Sequence, residues 1–293
     1  MRYTVTDHGA LMAQIEALQE GKNAHVSVLG ESLLGKTIPL ISLGNGSRCV
    51  LFVGAHRGTD WIVSAVLMDF VCDYLRALSA KKTEYGCPME YLFETRRILI
   101  LPMLNPDGVE YVLHGPGAQN PLRERVLRIN GAKREELSHW QGNARGVLLE
   151  RNYSTSFLPP SSKANETDYG GEYPESEPET AALSGLLRMC GDHLLGAVSL
   201  GTQGERIVCS CADHLTAKTM AAGRTLSRLT GYRLLGPEGG REQGGFAAFC
   251  TAALHRPAYE IKCGKGEIPL PPSDRALIYA KLRRALFSFP FFL

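Results

Sequence analysis

The sequence predicts an α/β fold in which a mixed, mainly parallel central sheet carries helices on both faces. Three observations predict it. Hydrophobic runs and breakers alternate between strand-like and helix-like periods along the chain, with no internal repeat. Four compact runs, CVLFVGA (49–55), ILILPML (98–104), GAVSL (196–200) and AYEIKC (258–263), are almost continuously apolar, as strands buried on both faces of a parallel sheet must be. The length of 293 residues, 44% hydrophobic and 21% charged, suits one large α/β domain over 1–293, long enough to bury roughly 75% of its unfolded surface.

In chain order, Leu11, Met12, Ile15 and Leu18 repeat with helical spacing and predict a helix over 9–20. Short strands fit 24–29 and 37–43, ahead of the four buried runs. Helices fit 60–78, 177–190, 214–229 and 273–287. Ser176 with Glu179 reads as a capping box, with Pro178 in the first turn, where its missing N–H is harmless. Residues 105–175 are rich in Gly, Pro, Ser and Asn and show little periodicity, the character of a binding surface. Within them Asn105-Pro106-Asp107-Gly108 reads as a structural turn. The apolar ending FSFPFFL is expected to pack on the core. Ligands of open α/β sheets bind beyond the carboxyl ends of the strands. His56-Arg57, Asn105-Pro106-Asp107, Gly201-Thr202 and Lys262 should therefore meet on one rim.

The 32 Lys and Arg against 30 Asp and Glu leave a net charge of only +2, which excludes the basic footprint of nucleic-acid or anionic-membrane binding. The apolar stretch 61–78 is interrupted by Asp69 and Asp73, so no membrane span is expected. The first residues lack the basic-then-apolar pattern of a secretory signal, and a cytoplasmic location is expected. The eight cysteines are scattered and read as reduced thiols. Cys209 and Cys211 form a C-x-C on a strand, which we read as packing rather than a soft-metal site.

Eight collinear segments carry a family resemblance: GESLLGKTIPL, VLFVGAHRGTDWI, LPMLNPDGVEYV, WQGNARGVLLERNY, YPESEPETAAL, VSLGTQGE, GGFAAF and IKCGKGEIPLP. Together they resemble the zinc carboxypeptidases of the carboxypeptidase A type, particularly bacterial γ-D-glutamyl-diamino acid peptidases that act on peptidoglycan stem peptides. The resemblance implies a zinc-carboxypeptidase-like domain with two His and one Glu holding a zinc whose fourth position stays open for water, and a glutamate on the last strand as general base.

The resemblance also implies which residues here stand at those positions. Anchored on Trp61, the first ligand position is Arg57 and the second is Asp60. Anchored on Gly204-Glu205, the third is Gly201, which has no side chain. Anchored on Gly264 and Pro269-Leu270-Pro271, the general-base position is Lys262. Zinc is expected for the family, but its ligands are absent, so no cofactor is expected here. In the substrate motif, Leu148-Leu149-Glu150-Arg151-Asn152, Glu150 stands where an asparagine helps to hold the substrate carboxylate. Arg151 matches the carboxylate-binding arginine and Arg145 the oxyanion arginine, both with forks suited to bidentate carboxylate recognition. Gly240 falls where the family's catalytic tyrosine would stand.

These substitutions predict a catalytically inactive homologue that binds a peptide or small carboxylate, with Arg57 and Lys262 paired to Asp60, Glu150 or a ligand anion. Arg57, Arg145, Arg151 and Lys262 against Asp60 and Glu150 leave the pocket at a formal +2, the balance zinc would give the intact family. Alternatives stay open at this level. A register slip offers His56 with Asp60 as ligands and Glu260 as base. An active hydrolase could draw metal ligands from His56, Asp60 and Glu205, or use Cys263 beside Lys262 as a nucleophile, although Cys263 should point into the core. A protein-interaction scaffold is the third reading.

Overall fold

A computed structural model describes residues 5–131, 136–155, 169–210, 216–236 and 245–293. The chain opens with α1 (His8–Gln19), whose N-terminus is closed by the Asp7 carboxylate accepting from the Ala10 N–H. Strands β1 (Ala24–Glu31), β2 (Thr37–Leu43) and β3 (Arg48–Gly54) follow, then α2 (Trp61–Ser79). A short hairpin, β4 (Thr83–Glu84) and β5 (Cys87–Pro88), leads into α3 (Met89–Thr95) and β6 (Arg96–Leu101). Next come α4 (Pro106–His114), α5 (Arg123–Ile129), α6 (Pro178–Cys190), β7 (Leu194–Thr202) and β8 (Arg206–Cys209). The chain ends with α7 (Thr216–Thr230), β9 (Arg233–Leu235), α8 (Phe246–Leu254), β10 (Ala258–Cys263) and α9 (Arg275–Ser288).

Eight strands form one sheet in the order β1-β2-β6-β3-β7-β10-β8-β9. The centre is parallel, β6 with β3, β3 with β7 and β7 with β10, while β1, β2 and β8 add antiparallel pairings. Alternation along the central strands explains why their sequences are apolar throughout. Val50 and Phe52 of β3 join a core with α1, α2, α7 and α9, while Cys49, Leu51 and Val53 join a second core with α6 and α8. Ile98 and Ile100 of β6 divide from Leu99 and Leu101 in the same way. The C-terminal tail packs as expected: Phe289 is fully buried against Phe52, Tyr259 and Phe292, and the Pro290 carbonyl accepts from Arg96.

Several expectations are corrected. Asn105-Pro106-Asp107-Gly108 is not a free-standing turn but the start of α4, with the Asn105 side chain accepting from the Gly108 N–H and Pro106 in the first turn. Turn formers and helix N-terminal residues are the same types, because both satisfy backbone N–H groups locally. The strand predicted over 98–104 ends at Leu101. The capping box does not form: Glu177 is the N-cap of α6 without a side-chain cap bond. The Ser176 hydroxyl instead donates to Glu177, and Glu179 accepts from the Leu33 N–H at 3.2 Å. Tertiary partners outcompete the local reciprocal bond. Helix α8 has no counterpart in the sequence pattern, because Phe246 to Thr251 are all buried and show no amphipathic period.

Candidate functional site

The carboxyl ends of the central strands do converge. The turn after β3 carries His56 and Arg57 into a 3-10 turn (Gly58–Asp60). Gly58 is required there, since a Cβ would lie 2.4 Å from the Gly108 carbonyl oxygen. Asn105, after β6, donates from its side chain to the His56 carbonyl at 3.0 Å. In the β7–β10 register Gly201 faces Lys262 and Ser199 faces Glu260, and the two-residue strand period puts all four on one face. A second 3-10 turn (Leu149–Arg151) brings Glu150 over them.

Glu150 is the hub. Arg57 donates to its Oε2 from Nε at 2.7 Å and again from Nη2, and the Lys262 ammonium donates to Oε1 at 2.6 Å. Glu260 approaches Lys262 at 3.7 Å and accepts from the Ala247 N–H. Asp60 accepts from the Thr202 N–H at 3.0 Å and from its hydroxyl, through Oδ1. Its other oxygen has no hydrogen-bond partner among the described residues. That oxygen lies beside Gly201: a Cβ there would be 2.9 Å from Asp60 Oδ2 and 3.3 Å from Lys262 Nζ.

Electrostatics follow from this packing. Burial pushes the Glu150 carboxyl up, but Arg57 and then Lys262 outweigh it and hold the group far below the usual carboxylate range. Burial disfavours the Lys262 ammonium, and Glu150 more than restores it, leaving it above its ordinary value. Asp60 and Glu260, with weaker pairing, are both pushed up by burial. His56 stands apart from the ion pairs: its ring nitrogens meet the Tyr153 hydroxyl at 2.9 Å and the Ser199 hydroxyl at 3.0 Å, and burial lowers its pKa to about 4. It is a neutral, hydrogen-bonded histidine at neutral pH.

Arg145 lies at the edge of a second acidic group. Its Nε is 3.1 Å from the buried Glu177 carboxylate, a charge contact outside hydrogen-bond geometry, and the Asn143 amide donates to the same oxygen at 2.6 Å. Arg151 ends the 3-10 turn, half-buried, with Gly170 closed against its backbone. The expected +2 is therefore corrected. Glu260 joins the Glu150 cluster and Glu177 faces Arg145, which adds two carboxylates to the formal tally of Asp60 and Glu150 against Arg57, Arg145, Arg151 and Lys262. The strand period already puts Glu260 on the face of Lys262, whereas local pattern does not place Glu177; its one available signal is the Glu177-Pro178-Glu179 pair at the head of an apolar helix. Gly240 and Cys211 lie outside the described residues, whereas Cys209 packs against Met220 and the Leu235 carbonyl. Cys263 points into the core, its thiol pushed up by burial, away from Lys262.

Glu179, beside Glu177, has its pKa raised to about 7 by burial first and by Asp107 and Glu177 next. A folded pKa above the unfolded one means stability present at low pH and lost as pH rises through about 7. Glu179→Gln should therefore gain on the parent protein by roughly 2–3 kcal/mol between pH 5 and pH 8, read by urea denaturation at both pH values.

Comparisons with known proteins agree with this architecture. The zinc carboxypeptidase family profile matches residues 11–221. A γ-D-glutamyl-L-diamino acid endopeptidase 1 of Lysinibacillus sphaericus is 28% identical over 278 residues, covering 93% of this chain and 69% of that protein. The structure of thrombin-activatable fibrinolysis inhibitor superposes with a TM-score of 0.75 at 16% identity, covering 97% of this chain and 73% of the other. Murein-tripeptide amidase MpaA from Escherichia coli O157 superposes at 0.53 with 18% identity, covering 89% and 90%. The class is thus a carboxypeptidase-like α/β protein with a rim of buried charged residues. The chain belongs to the zinc carboxypeptidase family.

The residues that the resemblance puts at the metal positions do not fit zinc. Arg57 is a cation committed to Glu150, Gly201 offers no atom, and a side chain added there would run into Asp60. A divalent ion would also face the Lys262 ammonium. The alternative set His56, Asp60 and Glu205 is not brought together: His56 binds Tyr153 and Ser199, and Glu205 pairs with Lys281 and Lys265. Among the described residues, the group of three close metal-type donors is Asp7, Glu110 and His114, on different elements from this rim.

Proposed function

We propose that this chain is a non-catalytic member of its family that works without zinc and binds peptides through a free carboxylate. The observation that carries the reading is the Lys262 ammonium, which with Asp60 fills the space beside Gly201 and is held there by Glu150. A lysine can supply fixed positive charge, but it cannot bring a water pKa from about 15.7 toward 7 as bound zinc does. Arg151, with Arg145 near it in sequence, is assigned the ligand carboxylate, and Glu150 is diverted from ligand binding to holding the two cations. The ligand class is a peptidoglycan stem-peptide fragment, supported by the name of the Lysinibacillus relative and by the fold shared with a murein-tripeptide amidase. A cytoplasmic site of action belongs to the same proposal, supported by the scattered spacing of the eight cysteines. Among the described residues no helix is long and apolar enough to cross a membrane.

Calorimetry with matched peptides ending in a carboxylate or an amide tests the reading. The carboxylate form should bind about tenfold tighter, ~1.4 kcal/mol, and Arg151→Met should erase that difference. Equal affinities, or chelator-sensitive cleavage of a γ-D-glutamyl-diamino acid peptide, would remove it.

A further inference from the structure

Away from this rim, a cavity of about 460 Å³ is lined by Cys49, Cys190, Arg97, His25, His193 and Met189, among others. Cys49 is the second residue of β3 and is buried; its register partners are Arg97 on β6 and Leu194 on β7. Cys190 is the last residue of α6, half-buried, and the 3-10 turn Gly191–His193 links it to Leu194. The return of the chain into the sheet thus brings both cysteines to the wall of one cavity, with Cys190 packed against the core cluster that holds Cys49. We propose that Cys49 and Cys190 are a redox pair that closes to an intramolecular disulfide when a hydroperoxide enters this cavity.

The neighbourhood assigns the roles. Cys190 is half-buried on the cavity wall that Arg97 also lines, whereas Cys49 is buried, and burial pushes up the thiols of Cys72, Cys87, Cys250 and Cys263. Thiolate character and access decide which cysteine attacks. The Cys190 sulfur attacks one peroxide oxygen, the O–O bond breaks, and the leaving oxygen takes a proton and departs as the alcohol, or as water from hydrogen peroxide. Cys190 is then a sulfenic acid. The Cys49 sulfur attacks the Cys190 sulfur, the S–O bond breaks, and hydroxide leaves with the Cys49 proton as water. In sum, two thiols and one hydroperoxide give a disulfide, an alcohol and a water. Cys190 sits at a helix end next to a turn, so the movement that closes a bond of about 2.05 Å falls on the least constrained side. This inference does not depend on the peptide-binding reading.

The test uses the reduced full chain titrated with hydrogen peroxide, alkylated and mapped by mass spectrometry. At one equivalent, Cys49 and Cys190 should disappear together into one cross-linked peptide that dithiothreitol reverses, and Cys190 should react about tenfold or more faster than exposed Cys72. In Cys49→Ser, Cys190 should stop at a sulfenic acid that dimedone traps, and in Cys190→Ala no linked peptide should form. Oxidation of Cys72 ahead of Cys190, or loss of Cys190 without linkage to Cys49 in the parent chain, would overturn the proposal.

Discussion

Glu150→Gln should destabilise the protein by about 3–5 kcal/mol, the cost of leaving partners of a buried ion pair without their counter-charge. Glu150 accepts from Arg57 through one oxygen and from Lys262 through the other, so a single change strips both cations. Lys262 is 6% exposed and has Glu260 only at 3.7 Å, too far to take over. For a chain of this size the loss corresponds to a fall in Tm of roughly 10 °C. Adding Lys262→Met to Glu150→Gln should recover part of it, because the buried ammonium goes with its partner. A double variant as unstable as the sum of the two singles would show that the residues do not act as a unit.

Lys262→Glu, which puts a carboxylate at the position the resemblance gives to the general base, should be worse still. The introduced carboxylate would join Glu150, Glu260 and Asp60 with Arg57 as the neighbouring cation. Carboxylates crowded in a buried site take up protons, with folded pKa values above their unfolded ones. The variant's deficit should accordingly shrink at pH 5 and grow toward pH 8, the reverse of a carboxylate stabilised by pairing. Added zinc should not rescue it, since Arg57 and Gly201 still provide no ligand. Thermal melts at both pH values, with and without zinc, check this; zinc rescue to parental Tm would mean that the site remains a metal site.

Much of the sheet is legible in the sequence because β3, β6, β7 and β10 are buried on both faces, which forces near-continuous apolar runs. Helix α8 is hidden by the same property, since a short helix buried all round has no polar stripe. Helix α4 is hidden because Asn105 and Pro106 serve a turn and a helix start equally well. At the site, the strand ends bring Arg57, Asp60, Gly201 and Lys262 to one rim, as their places just after the apolar runs predict. Glu177 pairs with Arg145 far away in the chain, whereas Glu260 lies two residues from Lys262 on one face of β10, as the strand period requires. The Glu177 pairing leaves no local spacing to read, which is why the sequence alone misses that carboxylate.

The most direct test of the central claim, that an internal ion cluster stands where zinc would be, is zinc per chain. Protein prepared without a metal tag, given a slight zinc excess and dialysed, should retain close to none. Any zinc that is retained should be lost in His114→Ala, which removes a donor from the group with Asp7 and Glu110. About one zinc per chain, persisting in His114→Ala, would contradict the account.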